Sequence, residues 1–220
     1  MQFNIHTHQL SHPKQEIYND RIGIDSIKNN HSSYFSAGIH PWDIENVNIE
    51  SSLNILNIKL NSQIYLALGE CGLDKVCGTD LDYQIKIFKT QLKIAHQNNI
   101  KVLIIHCVKA YQEILDEKLN CPYEFTWILH GFNGSKQLIK QMSNHGFYFS
   151  VGSALLNSNT KIAHSISNIP LDKLLLETDD ANISIQLVYS KAAEILGLRI
   201  RNLEDQITDN IKYILPLVNL

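Results

Sequence analysis

Residues Ile64–Cys107 read IYLALGECGLDKVCGTDLDYQIKIFKTQLKIAHQNNIKVLIIHC, and the order of patterns in this stretch decides the fold. An apolar run of strand length, Ile64–Gly69, precedes a long amphipathic run, Thr79–Asn99, and a second apolar run, Lys101–His106. Within the amphipathic run Leu81, Ile85, Phe88, Leu92 and Ala95 recur at four- and three-residue steps. Thr79 and Asp82 are spaced as a capping box, so the spacing predicts a helix that packs one face on a sheet. Continuously apolar strands joined by such a helix imply parallel neighbours with helices over them.

Outward from this unit the alternation continues. Strands are expected at Gln2–Thr7, weakly at Gln15–Tyr18, then at Tyr34–Ile39, Phe125–His130, Phe147–Val151 and Lys173–Glu177. Helices are expected near Ile49–Leu60, Ala110–Lys118, Ser135–Asn144, Thr160–Ser167, Ser184–Leu196 and Asn202–Leu215, with Ser184 as N-cap and Gly197 just past the helix end. The segment NDRIGIDSIKNN (Asn19–Asn30) has room only for a turn or a stub of helix. Eight strands in a chain of 220 residues suit a compact (β/α)8 TIM barrel, an α/β fold whose lower size limit is about 200 residues, as one domain over 1–220. A doubly wound open sheet is the rival fold.

Composition narrows the setting. The longest apolar runs, such as VLIIHCV (Val102–Val108), fall far short of the ~18 residues that span a bilayer, and no secretory pattern opens the chain. The expectation is a cytoplasmic protein with no membrane association and no obligate protein partner, a monomer. Cys71, Cys77, Cys107 and Cys121 show no C-x-x-C spacing and read as reduced thiols. A net charge of -3 and a pI near 6.3 give no global attraction to nucleic acid, which argues against a general coat protein while leaving room for a local basic groove.

The chemistry collects at strand ends. The first strand ends in His6 and His8, which alternation puts on one face. The fourth leads to Glu70, the fifth ends in His106, the sixth in His130, and the last leads to Asp179. Taken singly, each is ordinary: a hydrogen-bonded structural histidine, or a turn-forming aspartate. In a barrel, however, all these ends open onto one mouth, where active sites of the fold lie. Gathering four of the chain's ten histidines with two carboxylates is costly unless a cation holds them. The donor set suits Zn, Mn, Fe, Ni or Co, with Mg also retained, and the absence of cysteine among the ligands argues against a closed structural zinc site. Six ligands suit two divalent metal ions sharing a carboxylate, a pair ~3.5–4 Å apart that activates water for hydrolysis.

These motifs resemble the TatD family of metal-dependent hydrolases, within the amidohydrolase-like barrels. NIHTH stands for the family's D-x-H-x-H, AGIHPWD for G-x-H-P, LGECGLD for G-E-x-G-L-D, VLIIHC for P-x-x-x-H, LHGFNGS for H-C-F-x-G, and LLLETDDA for L-L-x-E-T-D-x-P. A closing TDN (Thr208–Asn210) matches the signal in the family's last helix. The resemblance implies one metal on His6, His8 and Asp179 and another on His106 and His130, with Glu70 bridging and Asp179 orienting or deprotonating the attacking water. It also sets His40 near the mouth, where it touches substrate or serves as a structural turn residue before Pro41. Asn133 and Ser135 are loop and N-cap residues.

The chain departs from the pattern at several points. Asn4 replaces the usual Asp, Lys75 the usual aromatic, which alters the pocket wall, and Ala181 the usual Pro. The Arg expected two residues after His106 is absent. Val108 stands there, and Lys109 substitutes only as a point charge. Three functions stay open: a phosphoesterase of the deoxyribonuclease or 3′ exonuclease kind acting on DNA or a small phosphoester; a metal hydrolase of a small ester, lactone, amide or aminoacyl ester; and a non-catalytic metal-binding barrel.

Overall fold

The computed structural model describes residues 1–9, 15–24 and 34–216. The elements are β1 (Asn4–Thr7), β2 (Glu16–Arg21), β3 (Tyr34–Gly38), α1 (Ile49–Leu60), β4 (Tyr65–Asp74), α2 (Leu81–Gln97), β5 (Val102–Val108), α3 (Tyr111–Asn120), β6 (Thr126–Leu129), α4 (Lys136–Asn144), β7 (Tyr148–Val151), α5 (Lys161–Ser165), β8 (Leu174–Leu176), α6 (Ile185–Leu196) and α7 (Ile200–Ile214). The eight strands follow one another through a single sheet in the order β1 to β8. This is the strand-and-helix alternation of the (β/α)8 class. Among the described residues, no helix is long and apolar enough to cross a membrane. By contacts the chain divides into two compact units, Tyr18–Trp127 and Met1–Ile17 with Ile128–Leu220.

In the unit Tyr18–Trp127, β4 is buried along its whole length and pairs in parallel with β3 and β5. The strand outruns the expected Ile64–Gly69 because its register slips. Leu68 lies opposite Leu103 but Cys71 opposite Ile105, so one extra residue is absorbed around Gly69 and Glu70. Such a bulge re-aims a side chain without ending the ladder. The glycines flanking Glu70 are required by space: a Cβ on Gly69 (φ +149°) would sit 2.5 Å from the Ile104 carbonyl oxygen, and one on Gly72 (φ +144°) 2.1 Å from that of His106.

β2 also runs past the expected Tyr18, through Asn19 and Asp20, which the sequence suggested as turn residues. Both are fully buried with partners: the Asn19 Oδ1 accepts the Glu70 N–H (2.6 Å), and the Asp20 carboxylate accepts from the Tyr65 hydroxyl (2.6 Å) and from Lys59. The rest of the expected turn region, residues 25–30, lies outside the described residues.

α2 carries a buried face that is not wholly apolar. With Ile87, Phe88, Leu92 and Ala95 it buries Gln84 and Gln91. Gln91 grips the N–H (2.7 Å) and C=O (3.1 Å) of Ile39, and Gln84 grips those of Asp74 (2.8 and 2.9 Å). The N-cap is Asp80, which accepts the Tyr83 N–H (3.0 Å), rather than the expected Thr79. The carbonyl of Thr79 is instead taken by Gln84 (2.8 Å).

In the other unit β7 pairs in parallel with β8, Ser150 lying opposite Leu175. Beside β8, a parallel bridge joins Thr7 to Asp179. α6 is capped by Ser184, whose side chain accepts the Gln186 N–H (3.2 Å), and ends at Gly197 with φ +65°. The Asn210 of the closing TDN is buried in α7 and donates to the carbonyls of Leu171 (2.7 Å) and Leu174 (2.8 Å), tying the last helix to the entry of β8.

Candidate metal centre

The first group of ligand-type residues belongs to the ends of β1 and β8. Asp179 has φ +55°, in the left-handed region that a non-glycine residue enters only when its surroundings hold it there. Two backbone bonds do so: Asp179 donates its N–H to the His6 carbonyl (3.1 Å) and accepts the His8 N–H (3.0 Å). Its carboxylate Oδ1 thereby lies 3.4 Å from His6 Nε2 and 3.5 Å from His8 Nε2. His6 is fully buried, whereas His8 and Asp179 are half-buried, so the group faces solvent on one side. Each of the three offers a ligand atom within 4.8 Å of the others.

His130, just past β6, brings its ring to 4.6 Å from that of His6. Behind it sits Glu177, fully buried, which accepts the Gly131 N–H (2.5 Å) and the Ser150 hydroxyl and lies 3.7 Å from His130 Nδ1. At 3.7 Å the contact is too long for a hydrogen bond and acts through charge, which favours positive charge at or beyond the imidazole. Glu177 stood in the ETD motif, but nothing in the sequence separated it from a structural residue.

The second group comes from His40, two residues past β3, Glu70, which lies mid-strand at the β4 bulge rather than at the strand end expected from the sequence, and His106 in the C-terminal half of β5. Glu70 Oε1 sits 2.7 Å from His106 Nδ1 and 3.0 Å from His40 Nε2, and all three residues are buried. The far nitrogen of His106, Nε2, faces Asp74 Oδ2 at 3.2 Å. The Asp74 carboxylate also accepts the Trp42 indole N–H (2.6 Å) and the Val76 N–H (2.7 Å). Burial alone would raise the Asp74 pKa, but these donors outweigh it and hold the carboxyl below the usual range.

His40, Glu70 and His106 also offer three ligand atoms within 4.8 Å of one another. The hydrogen bonds nevertheless separate the two histidines by role. The Trp42 N–H points at His40 Nδ1 (3.1 Å), so Nδ1 accepts and a neutral His40 carries its proton on Nε2, facing Glu70. Burial lowers the His40 pKa despite the Glu70 carboxylate, which favours that neutral form. In it, His40 donates a proton toward Glu70 and has no lone pair there for a metal. His106, by contrast, can keep Nδ1 for a ligand while Nε2–H donates to Asp74.

The two lysines singled out from the sequence are both exposed. Lys75 is exposed and paired to Glu113 on α3 (2.5 Å), and its ammonium holds the Glu113 carboxyl below its usual range. Lys109 is exposed, with φ +53°. The Asp of HPWD, Asp43, takes a bidentate contact from Arg21 (2.6 and 3.0 Å). Asn4 pairs with Thr178, which makes it a fastener of β1 and no ligand.

A (β/α)8 fold with His and carboxylate groups at its strand ends defines a barrel of the metal-dependent hydrolase class. The family model described as TatD related DNase matches residues 9–216, and the chain belongs to that family. It is 30% identical over 194 residues to a protein named "Putative deoxyribonuclease TATDN1 homolog" from Enterocytozoon bieneusi, covering 84% of this chain and 66% of that one. It is 27% identical over 158 residues to the 3'-5' ssDNA/RNA exonuclease TatD of Escherichia coli, covering 67% of this chain and 58% of that enzyme. The chain thus spans about 58–66% of the length of these two relatives. Among solved structures, YJJV, a TatD homolog from Escherichia coli K12, superimposes with a TM-score of 0.78 at 21% identity, over 91% of this chain and 86% of that one, and so shares the fold.

Proposed function

We propose that the chain is a divalent-metal phosphodiesterase of the deoxyribonuclease or 3′ exonuclease kind, acting as a single barrel domain over residues 1–220 and as a cytoplasmic monomer. The observation that carries this reading is the left-handed Asp179, clamped by backbone to β1 with its carboxylate against His6 and His8. A proton acceptor held among imidazoles at a strand end suits water activation. One ion would be held by His6, His8 and Asp179 and a second by His106 and His130, with Glu70 available to both. The support for joining the groups is the fold class, whose strand ends share one mouth. The ions, when bound, supply Lewis acidity toward the phosphoryl oxygen and acidify water.

The residues do the rest. Asp179 receives the proton from the attacking water. Asp74 orients His106 and the Glu177 charge stands behind His130, while His40, through its Nε2–H, donates to Glu70 or to a substrate oxygen. The four cysteines are free thiols, in keeping with a cytoplasmic setting.

Metal-loaded protein should release nucleotides from single-stranded DNA, with loss of release in His106→Ala and retention in His145→Ala, an exposed position. No metal-dependent release would remove the reading. One observation favours a second reading, hydrolysis of a small ester, lactone, amide or aminoacyl ester: Lys75, expected at the pocket wall, has its charge taken up by Glu113. A substrate panel with added Mn or Zn separates the two by kcat/KM.

A further inference from the structure

We infer that Trp42 is a stacking platform for the nucleobase next to the scissile phosphodiester, an inference that rests on the phosphodiesterase reading above. Trp42 follows β3 and is 53% exposed, an unusual position for the largest apolar side chain. It is nevertheless fixed. The indole N–H is held by Asp74 (2.6 Å), and the backbone N–H is held by His40 (3.1 Å). Its ring stands edge-on to His40 (centroids 4.7 Å) and to His106 (5.6 Å). The orientation of an exposed aromatic is thus set by the same carboxylate that orients a proposed metal ligand.

Val76, 62% exposed, hangs from the other oxygen of Asp74, so two apolar surfaces flank one anchor. A single indole with an apolar neighbour is too small a surface for a protein interface, but it matches one planar ring. With the proposed ion held by Glu70 and His106, the adjoining site would favour an anionic group on the same ligand. A nucleotide carries both. Preorganisation adds to the argument, because a ring held by its N–H loses little freedom when a base stacks on it.

The test measures binding of a fluorescein-labelled single-stranded phosphorothioate oligodeoxynucleotide, which resists cleavage, beside an abasic copy, to metal-loaded protein. The second tryptophan, Trp127, is 1% exposed, so quenching of intrinsic fluorescence by the unlabelled probe reports Trp42. The base-bearing strand should quench and the abasic strand should not. By anisotropy, Trp42→Ala should bind the base-bearing strand about 5- to 150-fold more weakly, the range of one lost base stack. Trp42→Phe lacks the N–H but keeps a ring, and should stay within about threefold of the parent. That variant separates stacking from the bond to Asp74. Equal binding of both strands, or equal weakening in Phe and Ala variants, overturns the platform. Hydrolysis is read separately: a chain that stacks the base without cutting DNA removes the phosphodiesterase reading alone, and one that cuts base-bearing and abasic strands at equal kcat/KM removes the platform alone.

Discussion

Asn4 and Thr178 grip each other through both ends of one amide: the Asn4 Nδ2 donates to the Thr178 hydroxyl (2.8 Å), and its Oδ1 accepts the Thr178 N–H (3.0 Å). The Thr178 hydroxyl also bonds that of Thr7 (3.1 Å). This clasp sits one residue before Asp179 and two before His6, so it fixes the spacing of a candidate ligand pair. Asn4→Ala should destabilise the fold by about 1–3 kcal/mol, because the buried Thr178 N–H is left unpaired. Asn4→Asp keeps an acceptor for that N–H and should cost less. Urea unfolding at pH 7 orders the two variants, and an Ala variant as stable as the parent would remove the clasp.

Metal content is the direct measure of the dinuclear proposal. Protein purified without chelator should carry two divalent ions per chain, falling to one or none in Glu70→Ala. Loading should also fall as pH drops below about 6.5, since imidazole must be neutral to donate to a metal. Occupancy unchanged at about pH 4.5 would be incompatible with histidine ligands.

Asp74→Asn tests an orienting residue. It keeps the shape but loses the charge that His106 Nε2 and the Trp42 indole face. Metal affinity should drop roughly 10- to 100-fold, read by competition with a chelating dye. Affinity at the parent value, with the fold intact by circular dichroism, would place His106 outside the site.

Three phenols predict the alkaline behaviour. Burial raises the pKa values of Tyr65, Tyr111 and Tyr189 above the ordinary value near 10, and the Asp20 carboxylate adds to the effect at Tyr65. The folded chain therefore keeps protons that the unfolded chain releases. Stability should be full below about pH 10 and fall as pH rises beyond it, by up to about 1.4 kcal/mol per pH unit for each such phenol. Absorbance titration near 295 nm should show these rings ionising only as the protein unfolds, after exposed Tyr213.

The sequence by itself determined the strand-and-helix order, because period and turn chemistry are local: Ile49–Leu60 is helical end to end as its pattern predicts, and Ser184 and Gly197 bound α6 as their chemistry requires. It also marked His6, His8, Glu70, His106, His130 and Asp179 by their positions at strand ends. Only the tertiary structure decided what holds them. Asn19 under Glu70, Asp74 behind His106, Glu177 behind His130 and Gln91 of α2 are polar residues whose partners lie far off in the chain. A polar residue in a strand or helix reads locally as a turn or a solvated face. Burial beside a distant backbone group turns it into a support, since a buried polar atom must find its hydrogen bond.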